Sequence, residues 1–161
     1  MHTWSLAVEE QYYLLFPLFL LLTWRLGKRW VIGSLLLVFI LSLALAEWGS
    51  TAKPAATFYL LPTRGWELLL GAFIAFYLSG AEINRLPKSL GEAGSLIGLA
   101  LILYAIFAFD RKTPFPGLYA LVPTVGTGLL MLCATRETLT GRLLGNRLLV
   151  GIGLISYSAY L

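Results

Sequence analysis

Long apolar stretches separated by short loops constrain this sequence more than any other feature. Charged residues make up 12% of the 161 and hydrophobic residues 58%, and the mean hydropathy is +0.81. About 20 apolar residues in a helix cross the core of a bilayer. Five such stretches occur, with a shorter sixth run at the end, at residues 4–24, 30–46, 58–78, 93–109, 118–134 and 148–161. The sequence therefore predicts an all-α polytopic transmembrane helix bundle, with five spanning helices and an incomplete sixth.

Basic residues collect in alternate loops, and this sets the expected orientation. Together the loops after the first, third and fifth stretches hold eight lysine and arginine residues and the other two hold three, so by the positive-inside rule the first group lies in the cytoplasm. Their basic residues are Arg25, Lys28, Arg29, Arg85, Lys88, Arg136, Arg142 and Arg147. Residues 1–10 and Arg64 are then expected at one depth on the extracytoplasmic side of a plasma or inner membrane. No basic stripe interleaved with aromatics is present, so we expect no nucleic-acid partner.

Two adjacent carboxylates, Glu9 and Glu10, are the only charged groups within residues 4–24. A charge near the centre of a spanning helix costs roughly 2.5–3.5 kcal/mol on insertion scales, so something must compensate for it. At helical spacing Ser5, Glu9 and Tyr13 share one face. A polar stripe of this kind is expected to face protein or water rather than lipid.

The third stretch contains a second pair of charged residues, Arg64 and Glu67. They are three residues apart and would share a helix face. One interpretation is a local ion pair at a helix start. The other sets Arg64 against Glu9 or Glu10 and leaves one carboxylate free to act on a substrate hydroxyl. His2 is either a frayed, incidental polar residue or a group suited to proton transfer near neutral pH.

Smaller features predict local packing. The Gly94-Ser-Leu-Ile-Gly98 segment matches the small-xxx-small pattern that lets two helices approach closely. Pro123 and two glycines predict a kink in the fifth stretch. Cys133 is the single cysteine, lies in an apolar run and is expected to be a packed thiol. We predict no metal site.

Three motifs resemble one known family. The segment His-Thr-Trp-Ser-Leu-Ala-Val-Glu-Glu-Gln-Tyr-Tyr-Leu-Leu-Phe-Pro, residues 2–17, resembles the Trp-Ser-Leu-x-x-Glu-Glu-x-Phe-Tyr helix of the membrane acyltransferase 3 family. Residues 62–72, Pro-Thr-Arg-Gly-Trp-Glu-Leu-Leu-Leu-Gly-Ala, resemble its Arg-x-Trp-Glu-Leu helix start. Residues 154–161 resemble its Ser-Tyr-x-x-Tyr-Leu segment, which usually runs into a Trp-His pair. The order and spacing of the three motifs also fit, so the resemblance covers the whole chain.

The resemblance implies an enzyme that transfers an acyl group, commonly acetyl, to a hydroxyl of an extracytoplasmic sugar, cell-wall glycan or lipid. It implies acyl-CoA as the donor, with no bound cofactor. The residues expected to be catalytic are Glu9, Glu10, Arg64 and Glu67. Those expected to bind substrate are His2, Tyr13, Ser156 and Tyr157.

The departures from the family pattern concern the two ends. In the family several helices, one with a catalytic histidine, precede the Trp-Ser-Leu motif, and further helices follow the Trp-His pair. Residues 1–161 are therefore expected to be the central part of a single domain, truncated at both ends. Its partners would be the bilayer, the acceptor and the missing N- and C-terminal helices. The chain by itself is expected to be inactive, and His2 is not the family histidine.

Two other functions fit the composition. Intramembrane acid and arginine also mark ion and proton routes, so the chain could be a transporter or channel component. That function predicts an inverted repeat and polar groups deep in several helices, whereas the second and fourth stretches carry no charge. The remaining alternative is a nonfunctional structural fragment.

Overall fold

The computed structural model describes residues 4–52, 57, 59–80, 87–110, 113 and 117–160, and of residues 4–7, 80, 157, 159 and 160 it describes the backbone alone. All regular structure within these ranges is helical, which confirms the all-α prediction. The helices are α1 Trp4–Trp24, α2 Lys28–Ala52, α3 Leu61–Gly80, α4 Lys88–Ala108, α5 Leu121–Cys133, α6 Leu139–Leu144 and α7 Arg147–Tyr160, and a 3-10 turn at Leu118–Ala120 precedes α5.

Two of the described helices, α2 and α4, are long and apolar enough to cross a membrane. Only 22% and 17% of their apolar windows are buried, whereas the core helix of a soluble protein is mostly buried. Helices α1 and α3 have 21 and 20 residues and carry the polar groups around Glu9 and Arg64. Two shorter apolar helices cover Leu118–Cys133 and Arg147–Ser156. Length and composition thus support two spans, and the predicted number of five is not confirmed.

Most helix boundaries lie near the predicted ones. Helix α1 ends in a turn at Gly27, whose φ of 95° a glycine adopts without strain. The second apolar stretch is predicted to end at residue 46, and this end is wrong, because α2 continues to Ala52. There the Ser50 and Thr51 hydroxyls donate to carbonyl oxygens three residues back in the same helix, at 2.8 and 2.9 Å.

The second half of the chain differs more from the prediction. Helix α4 begins at Lys88, five residues before the predicted start, and the polar stretch 135–147 contains the short helix α6. The irregularity predicted near Pro123 takes the form of the 3-10 turn before α5. Pro123 itself lies in the first turn of α5, where a missing backbone N–H is tolerated.

The described chain forms two compact units. In the first unit, residues 1–73 and 110–121, α1 packs on α2 and α2 packs on the 3-10 turn. Its core consists of Ala46, Trp66 and Ala120, with Phe39, Leu43 and Leu121 packed around them. In the second unit, residues 74–109 and 122–161, α6 packs on α4.

Glycines bring α4 and α5 together inside the second unit. A Cβ atom at Gly98 would lie 2.7 Å from the Gly126 carbonyl oxygen and 3.0 Å from Leu129 Cβ. A Cβ atom at Gly94 would lie 2.6 Å from Cys133 Sγ. The close packing predicted from Gly94 and Gly98 is confirmed, and so is the packed thiol, because Cys133 is buried.

This contact predicts that Gly98→Ala destabilises the protein by roughly 1–3 kcal/mol, since the new methyl group meets a backbone oxygen rather than a flexible side chain. Gly33→Ala in α2 is the matched control, because nothing lies within 4 Å of a Cβ atom there. The measurement is unfolding of the detergent-solubilised chain followed by circular dichroism. Equal stability of the two variants would contradict the close contact.

Candidate functional site

One buried hydroxyl ties the first turn of α3 to the middle of α2. Ser42 Oγ donates to the Pro62 carbonyl oxygen at 2.6 Å and accepts from the Trp66 backbone N–H at 3.0 Å. A regular α-helix would join these two backbone groups directly, since they are four residues apart. The Ser42 side chain is therefore inserted into the hydrogen-bond ladder of α3, an arrangement that bends helices. Gly65 faces this hydroxyl, 3.6 Å from where its Cβ would be.

The indole of Trp66 anchors the same turn in the core. Its side chain is fully buried between Ala46 and Ala120, and the Phe39 ring meets it edge-on at 6.2 Å between ring centroids. Trp66 Nε1 is buried and has no hydrogen-bond partner within the described ranges. A buried donor of this kind calls for a partner, such as water or a further segment.

The charged pair of α3 lies on this anchored turn. An Arg64 Nη nitrogen is 2.9 Å from a Glu67 carboxylate oxygen, and each side chain is 23% exposed. The local ion pair is thus confirmed. Among the described side chains no ion pair joins Arg64 to Glu9 or Glu10, so the contact between α1 and α3 through these groups stays a prediction from sequence.

Helix α1 separates packed and exposed side chains. Val8 is buried, and Tyr12 one turn later stacks on Phe16 with 4.8 Å between ring centroids. Glu9, beside this packed face, is half-buried, whereas Glu10 is exposed and Tyr13 is 65% exposed. The two carboxylates therefore lie towards the part of the α1 surface that the first unit leaves uncovered.

Of the remaining predicted site residues, only Ser156 has a described side chain. His2 lies outside the described residues, and of Tyr157 the side chain is not described. Ser156, in the second unit, is exposed and donates to the Gly153 carbonyl oxygen at 2.7 Å within α7. No group of three or more His, Cys, Asp and Glu side chains in the described ranges could hold a metal ion.

Sequence reasoning missed Ser42 and gave Trp66 no role. Ser42 lies in a stretch without charges, and a lone serine in an apolar helix usually bonds its own backbone, as Ser34 does with the Val31 carbonyl at 2.9 Å. Nothing local distinguishes the two serines. The motif around Trp66 carried the signal for that residue, because the tryptophan follows directly after the Arg-Gly segment.

These features define a helical, membrane-associated protein, and comparison with known proteins gives its class. A family model described as an acyltransferase domain, Acyl_transf_3, matches residues 1–161. The chain belongs to the acyltransferase 3 family.

Relatives in bacteria are similar over most of the chain. A Haemophilus influenzae protein of uncharacterized function is 32% identical over 139 residues, which cover 81% of this chain and 57% of the relative. A Bacillus subtilis protein, provisionally named a peptidoglycan O-acetyltransferase, is 29% identical, covering 98% of this chain and 27% of its own length. A Staphylococcus aureus protein, provisionally named an O-acetyltransferase, is 30% identical over a region that covers 99% of this chain and 28% of the relative.

The chain spans 27% to 57% of the length of these relatives. No solved structure matches the chain.

The Ser42 bridge predicts that Ser42→Ala lowers the free energy of unfolding by roughly 1–3 kcal/mol, because buried backbone groups lose a partner. Ser34→Ala, in the same helix, removes only a hydrogen bond within α2 and should change stability by less than about 0.5 kcal/mol. Unfolding of both variants in detergent measures the difference. If Ser42→Ala were as neutral as the control, the bridge would not hold α3 in place.

Proposed function

We propose that the chain is part of a membrane enzyme that transfers an acyl group, commonly acetyl, from acyl-CoA to a hydroxyl of an extracytoplasmic sugar, cell-wall glycan or lipid. The observation that carries this proposal is the family match over all 161 residues. The provisional O-acetyltransferase names of two relatives support the acetyl group, and one of these names specifies peptidoglycan.

Arg64 is the residue that we assign to charge stabilisation. In acyl transfer the hydroxyl oxygen bonds to the acyl carbon, the bond from that carbon to the leaving sulfur breaks, and the hydroxyl proton passes to a base. Negative charge develops on the acyl oxygen, and a fixed cationic donor stabilises it. Arg64 meets this requirement because Glu67 pairs with it at 2.9 Å on a turn held by Ser42 and Trp66.

Glu9 and Glu10 are assigned to orienting the base. Neither carboxylate has a described ion pair, and a carboxylate on a membrane helix needs protein or water beside it. We propose that helices of the same domain outside this chain cover that surface and bring the basic histidine of the family. Tyr13, on the same helix, would contact the acceptor together with His2, Ser156 and Tyr157.

For the membrane arrangement we propose five crossings in a multi-pass protein of the plasma or inner membrane. The apolar stretches of α1 to α5 make the crossings, and α7 belongs to a sixth that is incomplete in this chain. The loop charges favour an extracytoplasmic position for residues 1–5 and a cytoplasmic one for residues 25–29. The candidate site then opens to the extracytoplasmic side, where the acceptor lies.

This orientation predicts the labelling of single cysteines introduced at Thr3 and Lys28 in a Cys133→Ala background. An impermeant thiol reagent should modify the Thr3 position in intact cells and the Lys28 position only after permeabilisation. Labelling at Lys28 in intact cells would reverse the proposed orientation.

The role of Arg64 is tested in the full-length protein that carries this chain. Arg64→Ala should reduce acyl transfer by about 10²–10³-fold, the usual loss for one donor to a developing oxyanion. Arg64→Lys keeps the charge without the planar fork and should lose less. O-acetyl groups released from the glycan by mild alkali give the measurement.

Arg25→Ala is the matched control for this experiment, because Arg25 lies in the exposed loop after α1 and its loss should leave the rate unchanged. A wild-type rate in Arg64→Ala would remove Arg64 from the site. Absence of acyl transfer by the wild-type protein to any hydroxyl acceptor would overturn the proposed function itself.

A further inference from the structure

An open cleft of about 460 Å³ lies in the second unit, between the start of α4 and α6. It is lined by two cations and two carboxylates together with a serine and a leucine. These residues are Lys88, Ser89, Glu92, Glu137, Leu139 and Arg142.

The walls of the cleft are held together by buried polar contacts. Ser95 and Thr140 are both buried, and their hydroxyl oxygens are 2.8 Å apart, which joins α4 to α6. Three residues earlier on α4, both Glu92 carboxylate oxygens accept from the Leu139 backbone N–H, at 3.1 and 3.2 Å. The Glu92 carboxylate is therefore already hydrogen-bonded to the first turn of α6.

The other three charges of the cleft are not paired with one another. Within the described ranges no ion pair of 4.0 Å or less joins Lys88 or Arg142 to Glu92 or Glu137. Arg142 Nε donates to the Arg136 carbonyl oxygen at 3.3 Å, and this hydrogen bond leaves the two terminal nitrogens of the guanidinium for another acceptor. Two cations and one carboxylate thus surround an open volume.

The position of the cleft on α4 brings it to the membrane surface. Helix α4 is one of the two described helices that can cross a bilayer, and Lys88 is its first residue. Lysine and arginine at the end of a spanning helix lie at the level of the lipid headgroups. Leu139, which lines the cleft, is more than half exposed, and so are Leu90 on α4 and Leu143 on α6, so exposed apolar surface accompanies the charges on both helices.

We propose that this cleft binds the headgroup of a phospholipid, with the phosphodiester on Lys88 and Arg142. The exposed leucines would contact the start of the acyl chains. Glu137 adds a negative charge beside the phosphate, which disfavours a purely anionic headgroup and favours one with an amine, such as phosphatidylethanolamine. This site is independent of the proposed acyl transfer.

The test uses the purified 161-residue chain in vesicles of equal parts phosphatidylethanolamine and phosphatidylglycerol. After extraction in mild detergent, mass spectrometry quantifies the phospholipid that stays bound to the protein. The wild-type chain should retain phosphatidylethanolamine preferentially. The double variant Lys88→Gln/Arg142→Gln should retain about tenfold less, because two cations near the phosphate are lost.

Arg25→Gln/Lys28→Gln is the matched control, since it removes two cations at the end of another span and should retain lipid like the wild type. Lys88→Arg/Arg142→Lys keeps both charges and should restore retention, which distinguishes loss of the site from loss of the fold. Unchanged retention in Lys88→Gln/Arg142→Gln, or equal losses in the control, would overturn the proposal.

The headgroup and the source of the phosphate are tested separately. Glu137→Gln should shift retention towards phosphatidylglycerol, a change that a purely structural glutamate would not produce. Inorganic phosphate and coenzyme A, added in excess over lipid, should leave the retained phospholipid in place. Displacement by either would assign the cleft to a soluble phosphate compound and overturn the lipid proposal.

Discussion

The hydrogen bonds of Ser42 determine where the charged turn of α3 lies. Its hydroxyl stands between the Pro62 carbonyl and the Trp66 N–H, two groups that an ordinary helix would pair with each other. Because the hydroxyl belongs to α2, the rotation of the first turn of α3 is coupled to α2 rather than to the local sequence. Trp66, fully buried two residues after Arg64, prevents this turn from sliding. The Arg64–Glu67 pair therefore sits on a fixed support.

The second unit is built on a different contact, the close approach of helix backbones at glycines. In lipid there is little hydrophobic driving force between helices, so packing and hydrogen bonds must hold them together. Gly98 and Gly126 provide the packing, and the buried Ser95–Thr140 contact provides a hydrogen bond. Both units thus use a small or hydroxyl-bearing residue inside an apolar helix. Large apolar side chains such as Leu36 and Leu103 remain exposed on the outer surface, where lipid can cover them.

Much of the candidate site follows from motifs, and the structure adds what supports it. Arg64 and Glu67 pair as their spacing predicts, because residues three apart on a helix are neighbours whatever surrounds them. Glu9 is half-buried and Glu10 is exposed. A contact of either carboxylate with Arg64 stays a prediction. Ser42 could not be found in advance, since its partners are 20 and 24 residues away.

The sequence by itself determined that the chain is helical and apolar and where α1 begins and ends, and it placed Arg64 one helical turn from Glu67 and small residues at Gly94 and Gly98. Each of these depends on composition, on spacing along one helix or on the absence of a side chain. Only the tertiary structure decided that α2 continues to Ala52, that a short helix follows α5 and that α3 is joined to Ser42. In those places the deciding group is remote: the Glu47 carboxylate near the end of α2 accepts from the Leu118 N–H at 2.8 Å, and Glu92 accepts from Leu139. Such contacts between distant residues have no local sequence signal.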